Sequence, residues 1–196
     1  TTTAPGQNGT WTFTGTTGQR VYFNFTGGTY GSINYATVSI KKPDGTVLID
    51  STRCGTSCAF NTTTLPADGT YTITLNPDAH YTGALTAQLY DVPADATAEM
   101  TINGEAQRVT TTTPGQNATL TFAGTAGQTV TINLTSNTFG STPFAVRGPD
   151  GATLASSLGS GNVTFSNLTL PADGTYTVFV NPDRTAIGGV SGMVTA

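Results

Sequence analysis

Charge is scarce in this chain. Charged side chains make up 9% of its 196 residues, against roughly 25% in ordinary soluble proteins. A surface so poor in ions offers little for salt to screen or pH to titrate. Seven Lys and Arg stand against eleven Asp and Glu, for a formal net charge of −4. Phosphate backbones are held by clustered basic side chains, so nucleic acid is excluded as a partner. Long apolar runs are missing too. None approaches the ~20 residues of a membrane-spanning helix, so no membrane insertion is expected. The chain opens without a basic-then-apolar leader, and the expectation is that any secretion signal has been removed or lies upstream.

Histidine is almost absent. His80 is the only one, so a Ser-His-Asp or Cys-His set would have to be built on a single loop residue. Nothing in the order of the acidic residues pairs two carboxylates for glycoside cleavage. Gly27-Gly28 and Gly188-Gly189 lack the strand–glycine–helix setting that cradles phosphate. No catalytic residue, cofactor or metal is expected, and the chain reads as no enzyme. Cysteine is limited to Cys54 and Cys58. The small residues Gly55, Thr56 and Ser57 between them allow a tight bridge. A disulfide in an oxidising, extracellular setting is the first reading. A zinc pair completed by His80 and a pair of reduced thiols are the alternatives.

What is abundant is threonine, at about a fifth of all positions. Its β-branch favours strands, and its hydroxyl keeps an outer face wet without charge. The chain is also written twice. Pro5-Gly6-Gln7-Asn8 returns as Pro114-Gly115-Gln116-Asn117, and Pro43-Asp44-Gly45 as Pro149-Asp150-Gly151. Leu65 to Thr72 returns letter for letter as Leu170 to Thr177. Repetition at this spacing predicts two modules, each large enough for its own core. The division expected is 1–92 for module 1, 93–109 for a linker and 110–196 for module 2.

Period-two alternation marks the strands. Val21, Phe23 and Phe25 share one face, as do Val130, Ile132 and Leu134, so Tyr22, Asn24, Thr131 and Asn133 are expected to face outward. Strands are expected over Thr10–Thr14, Thr37–Ile40, Val47–Asp50, Tyr71–Leu75 and Ala84–Tyr90. Their partners are Thr119–Phe122, Phe144–Arg147, Thr153–Ser156, Tyr176–Val180 and Val190–Val194. No helical period is present. Short strands between Pro-Asp-Gly and Gly-Gln turns predict all-β architecture, two tandem antiparallel β-sandwiches of jelly-roll or immunoglobulin-like type. In the linker, Asn103-Gly104 sits between two strand-like runs and predicts a hairpin. Module 1 begins at Thr1, aligned with Thr110, so its lead-in either lies upstream of these residues or is supplied by a neighbouring chain, and a missing strand leaves an edge that another chain can pair with.

Tyr71 and Tyr176 stand where the tyrosine corner of sandwich folds stands, as structural residues. Tyr22, Tyr30, Tyr35 and Tyr81 are candidates for stacking on sugar rings, Tyr30 and Tyr35 from a Gly-rich loop. Trp11 reads better as core. Asn-x-Thr triplets at Asn8, Asn24, Asn61, Asn117, Asn133, Asn162 and Asn167 are candidate glycan acceptors in a suitable host.

The order of these motifs resembles the bacterial pre-peptidase C-terminal family. The matching residues are Gly18-Gln19, Asp44 to Leu48 and Leu65 with Asp68-Gly69-Thr70-Tyr71. In module 2 they are Gly127-Gln128, Asp150 to Leu154 and Leu170 with Asp173-Gly174-Thr175-Tyr176. The resemblance implies a secreted, non-catalytic sandwich repeated within or appended to larger surface proteins. Some members bind polysaccharide or collagen, and some of those bind calcium. Here the aspartates are spread among turns, whereas calcium needs 6–8 converging oxygens.

These readings lead to a non-catalytic extracellular module: a spacer, an adhesive stalk or a fibre subunit. Its expected partners are copies of itself or neighbouring domains of a larger surface protein. A carbohydrate-binding module working through surface tyrosines, with polysaccharide as partner, is the alternative. A subunit that polymerises by strand exchange is a third.

Overall fold

In the computed structural model, residues 1–30 and 36–196 are described. All regular structure among them is β-strand. The chain divides into two compact units, Thr1–Val92 and Pro93–Ala196.

Unit 1 contains β1 (Gly9–Gly15), β2 (Arg20–Thr26), β3 (Ala36–Lys41) and β4 (Val47–Arg53). These are followed by β5 (Cys58–Ala59), β6 (Thr63–Thr64), β7 (Gly69–Pro77) and β8 (Thr86–Asp91). One sheet runs β1-β7-β3-β4; in the other, β2 lies between β8 and the short pair β5 and β6. All these pairings are antiparallel. Alternation places Tyr71, Ile73 and Leu75 of β7 inward, with Val38 and Ile40 of β3, against Val21, Phe23 and Phe25 of β2. Each fully buried side chain of this size contributes about 1.5–3 kcal/mol of transfer free energy.

Unit 2 repeats the plan and adds to it. β11 (Ala118–Gly124), β12 (Thr129–Thr135), β13 (Thr142–Arg147) and β14 (Thr153–Gly159) match β1 to β4. β15 (Val163–Thr169) takes the place of β5 and β6, and β16 (Gly174–Val180) and β17 (Gly189–Thr195) match β7 and β8. The additions are β9 (Ala96–Glu99) and β10 (Gln107–Thr110), which give sheets β14-β13-β16-β11-β9 and β10-β17-β12-β15. The core contains Leu120, Phe122, Ile132, Leu134, Tyr176 and Val178.

Two expectations are corrected here. The segment 93–109 is part of unit 2 and not a free linker. Asn103-Gly104 does turn the chain, with Asn103 at φ 60° and Gly104 N donating to Thr101 O at 2.9 Å. Yet its flanking strands do not form a hairpin ladder. β9 runs parallel to β11, Ala98 beside Leu120, whereas β10 runs antiparallel to β17, Val109 beside Val190. A sandwich has two sheets, and on this side each has an edge whose backbone groups need partners. One strand to each sheet satisfies both; a hairpin would satisfy one. The second correction concerns β2, where five successive residues, Val21 to Phe25, are buried, so Tyr22 and Asn24 are not surface groups.

Candidate functional site

Several polar devices common to the two units lie at one set of turns. The Tyr71 hydroxyl donates to Ala67 O at 2.7 Å and accepts from Ala67 N at 3.3 Å. Tyr176 does the same with Ala172, at 2.6 and 3.2 Å. Both rings are fully buried, and they stack on Phe13 and Phe122 respectively. Asp68 Oδ1 accepts from Thr17 N at 2.6 Å, and Asp173 Oδ1 from Ala126 N at 2.8 Å. The Thr17 backbone N–H, aided by the threonine hydroxyl, holds the Asp68 carboxyl below its usual range. Asp44 is lowered likewise, first by the Thr46 hydroxyl, then by its backbone N–H. Gly69 and Gly174, at φ 131° and 141°, close on Pro43 and Pro149, where a β-carbon would collide. These groups tie the chain to itself, within turns and between segments.

Unit 1 carries its own reinforcement. Cys54 and Cys58 form a disulfide, Cα atoms 5.2 Å apart. The bridged loop packs on Gly28, whose N donates to Thr56 O at 2.8 Å. The zinc and free-thiol readings therefore fall. Among the described residues, no three His, Cys, Asp or Glu gather as a metal site.

Among the described residues, Tyr22, Tyr30 and Tyr81 do not form a platform for sugar stacking. Tyr30 is buried, its hydroxyl donating to Gly83 O at 2.8 Å and lying 3.0 Å from Thr2 Oγ1. That bond ties Tyr30 inward and removes its ring from solvent. Tyr22 is buried against Tyr90, its partner across β2 and β8, ring centroids 6.1 Å apart. Tyr81 is half-buried and stacks on His80 at 4.5 Å. Tyr35 lies outside the described residues.

The glycan acceptors differ in access. Asn8, Asn61, Asn162 and Asn167 are exposed; Asn117 and Asn133 are half-buried, and Asn133 Oδ1 accepts from the Thr164 hydroxyl at 3.0 Å. Asn24, inside β2, is buried and corrects the expectation that it faces solvent.

A concave feature among the described residues lies elsewhere, on the outer face of β13, β14 and β16. This open groove of about 580 Å³ is lined by Pro143, Ala145, Arg147, Ser156, Leu158 and Phe179. Phe179 sits beside Ala145 in register, and the Arg147 guanidinium lies 4.2 Å over its ring. Leu158 is 69% exposed. The signal was present in the pattern: Phe179 is the aromatic that alternates outward from Tyr176, Val178 and Val180. Unit 1 has Lys41, Ser39 and Thr74 at the places of Arg147, Ala145 and Phe179, so the aromatic of this groove is not repeated there.

Comparison with curated proteins finds no match. Among solved structures, the periplasmic inhibitor of g-type lysozyme PliG from Aeromonas hydrophila is 19% identical, with 52% of this chain and 99% of that one covered at a TM-score of 0.36. The CUB1-EGF-CUB2 region of human MASP-1/3 is 11% identical, with 98% and 95% covered at a TM-score of 0.32. Dimeric latent PorU from Porphyromonas gingivalis is 12% identical, with 95% and 17% covered at 0.24. The family comparison falls on unit 2: residues 116–182 match the bacterial pre-peptidase C-terminal domain.

Proposed function

We propose that this chain is a non-catalytic extracellular repeat module that acts as a spacer or stalk, or as a fibre subunit, in a secreted or surface protein. One observation carries this reading. The polar devices written into both units bond the chain to itself: Tyr71 and Tyr176, Asp68 and Asp173. A duplicated binding protein would be expected to duplicate its ligand groups, and here what is duplicated is turn closure. The Cys54–Cys58 bridge and the pre-peptidase C-terminal match are both consistent with an extracellular location.

A second reading has an observation of its own. The unit 2 groove places an outward aromatic, Phe179, beside an arginine and a serine. That chemistry suits a sugar ring, whose apolar face stacks while its hydroxyls accept and donate hydrogen bonds. The two readings separate in titrations against a panel of soluble polysaccharides. The spacer reading expects no saturable binding. Saturable binding that is lost on Phe179→Ala would replace it with the carbohydrate-binding reading.

A further inference from the structure

Unit 2 is closed along one side by its lead-in segment. β9 extends one sheet beside β11, and β10 extends the other beside β17. Between them Met100 enters the core, 2% exposed, with its N donating to Thr121 O at 2.7 Å. Val109 is buried opposite Val190. Gln116, buried, fastens the start of the segment: Nε2 donates to Ala94 O at 2.7 Å while Oε1 accepts from Thr112 N at 2.8 Å.

Unit 1 has the same receiving surface. By the offsets of the repeat, Trp11 and Phe13 stand for Leu120 and Phe122, Leu85 for Val190 and Gln7 for Gln116. Among the described residues, β1 pairs only with β7 and β8 only with β2, so both edges keep an outer row of backbone donors and acceptors. Leu120 and Phe122 are 0% and 1% exposed, whereas Trp11 and Phe13 are only half-buried. Gln7 Oε1 accepts from Thr3 N at 2.7 Å, as Gln116 does from Thr112. Its side chain is exposed, and among the described residues Nε2 has no counterpart of the Ala94 carbonyl. The Thr2–Gly83 bridge sits where Thr111 N donates to Gly188 O, so the chain meets β8 at the point where β10 ends in unit 2. Two sheet edges, a half-covered aromatic pair and an idle amide all match places that one peptide segment fills in the other copy.

We infer that unit 1 is a receptor for a lead-in segment with the chemistry of residues 94–110. One strand would run parallel along Gly9–Thr12 and one antiparallel along Ala84–Ala87, with a small side chain beside Trp11 and an apolar one reaching the core. Main-chain ladders supply the affinity and the alternating side chains the register, as in other strand additions. The partner is therefore a polypeptide of this pattern and not a small molecule.

Trp11 is the only tryptophan in the chain and lies at the contact, so it reports directly. The test places a second copy of residues 94–109 ahead of Thr1 in the full chain. The expected result is Trp11 emission at shorter wavelength and a higher Trp11-reported unfolding midpoint. Both gains are lost when the added copy carries Met100→Asp. Unchanged emission and midpoint would overturn the inference. So would a lowered midpoint, because it would mean that the Trp11 ring already fills the space of Met100. The synthetic peptide 94–110, titrated into the unmodified chain, reads the same contact by hydrogen exchange. Slowed exchange over residues 9–12 and 84–87 supports the inference, and unaltered exchange at saturating peptide refutes it.

Discussion

Replacing Tyr71 by Phe removes one oxygen and leaves a ring that is fully buried and stacked on Phe13 at 5.1 Å. The lost hydroxyl serves two bonds, to Ala67 O at 2.7 Å and from Ala67 N at 3.3 Å. A neutral hydrogen bond contributes about 0.5–1.5 kcal/mol net. Ala67 is half-buried, so water replaces part of what is lost. The cost for Tyr71→Phe is then about 1–2 kcal/mol, which lowers the melting temperature of a domain this size by roughly 5–10 °C. Trp11 fluorescence follows unit 1 alone, because unit 2 has no tryptophan. Thermal unfolding watched at Trp11 should move by that amount in Tyr71→Phe and stay in place in Tyr176→Phe. The matching loss in Tyr176→Phe should be seen by calorimetry in the other transition. A shift below about 2 °C would mean that the turn is held by its backbone and not by the hydroxyl. An equal shift of the Trp11 transition in Tyr176→Phe would mean that the units do not unfold separately.

Reduction of Cys54–Cys58, or the double change Cys54→Ser and Cys58→Ser, should cost unit 1 about 2 kcal/mol by loop-closure entropy, measured as a lower denaturant midpoint at Trp11. The Thr17 backbone N–H holds the folded pKa of Asp68 below the ordinary aspartate value, so its contribution is present above that value and is lost as pH falls through the folded pKa. Asp68→Asn should therefore lower the unit 1 midpoint at neutral pH and bring variant and parent together in strong acid; a constant gap down to the lowest pH would refute the linkage. In a host that glycosylates Asn-x-Thr, mass spectrometry should find glycan at Asn61 or Asn162 and none at Asn24, which is buried within β2.

Much of the fold could be read directly. Alternation in Tyr71–Leu75 and Tyr176–Val180 states which side chains go inward, and the Pro-Asp-Gly turns state where strands end. What alternation does not carry is the identity of a strand's neighbour. The runs around Asn103-Gly104 are adjacent in sequence, so pairing them was the local answer, yet the open edges of β11 and β17 claimed one each. Tyr22 alternates outward by period but lies in a strand covered on both faces, which period two cannot distinguish from a half-covered one. The glycines near Tyr30 point to a loop-tip group; its destination depends on Gly83 O, 53 positions away. β15 is not marked by period two, because its alternation, Val163 then Phe165, breaks before Leu168, where Asn167 turns to φ 53° and the register with β12 slips. The groove needed three strands to be placed side by side before Phe179 and Arg147 could be seen together.

The strand order β10-β17-β12 has a bearing on how the chain is made. Gln107 pairs with Gly192, 192 − 107 = 85 positions later. At a translation rate of roughly 5–20 residues per second, β10 waits about 4–17 s for its neighbour to emerge. When β17 arrives it must slide between two strands already synthesised, completing a ladder on each flank in one move. A ribosome that stops before Gly189 thus releases a product with two raw seams, and Gly189–Thr195 acts as the keystone of unit 2.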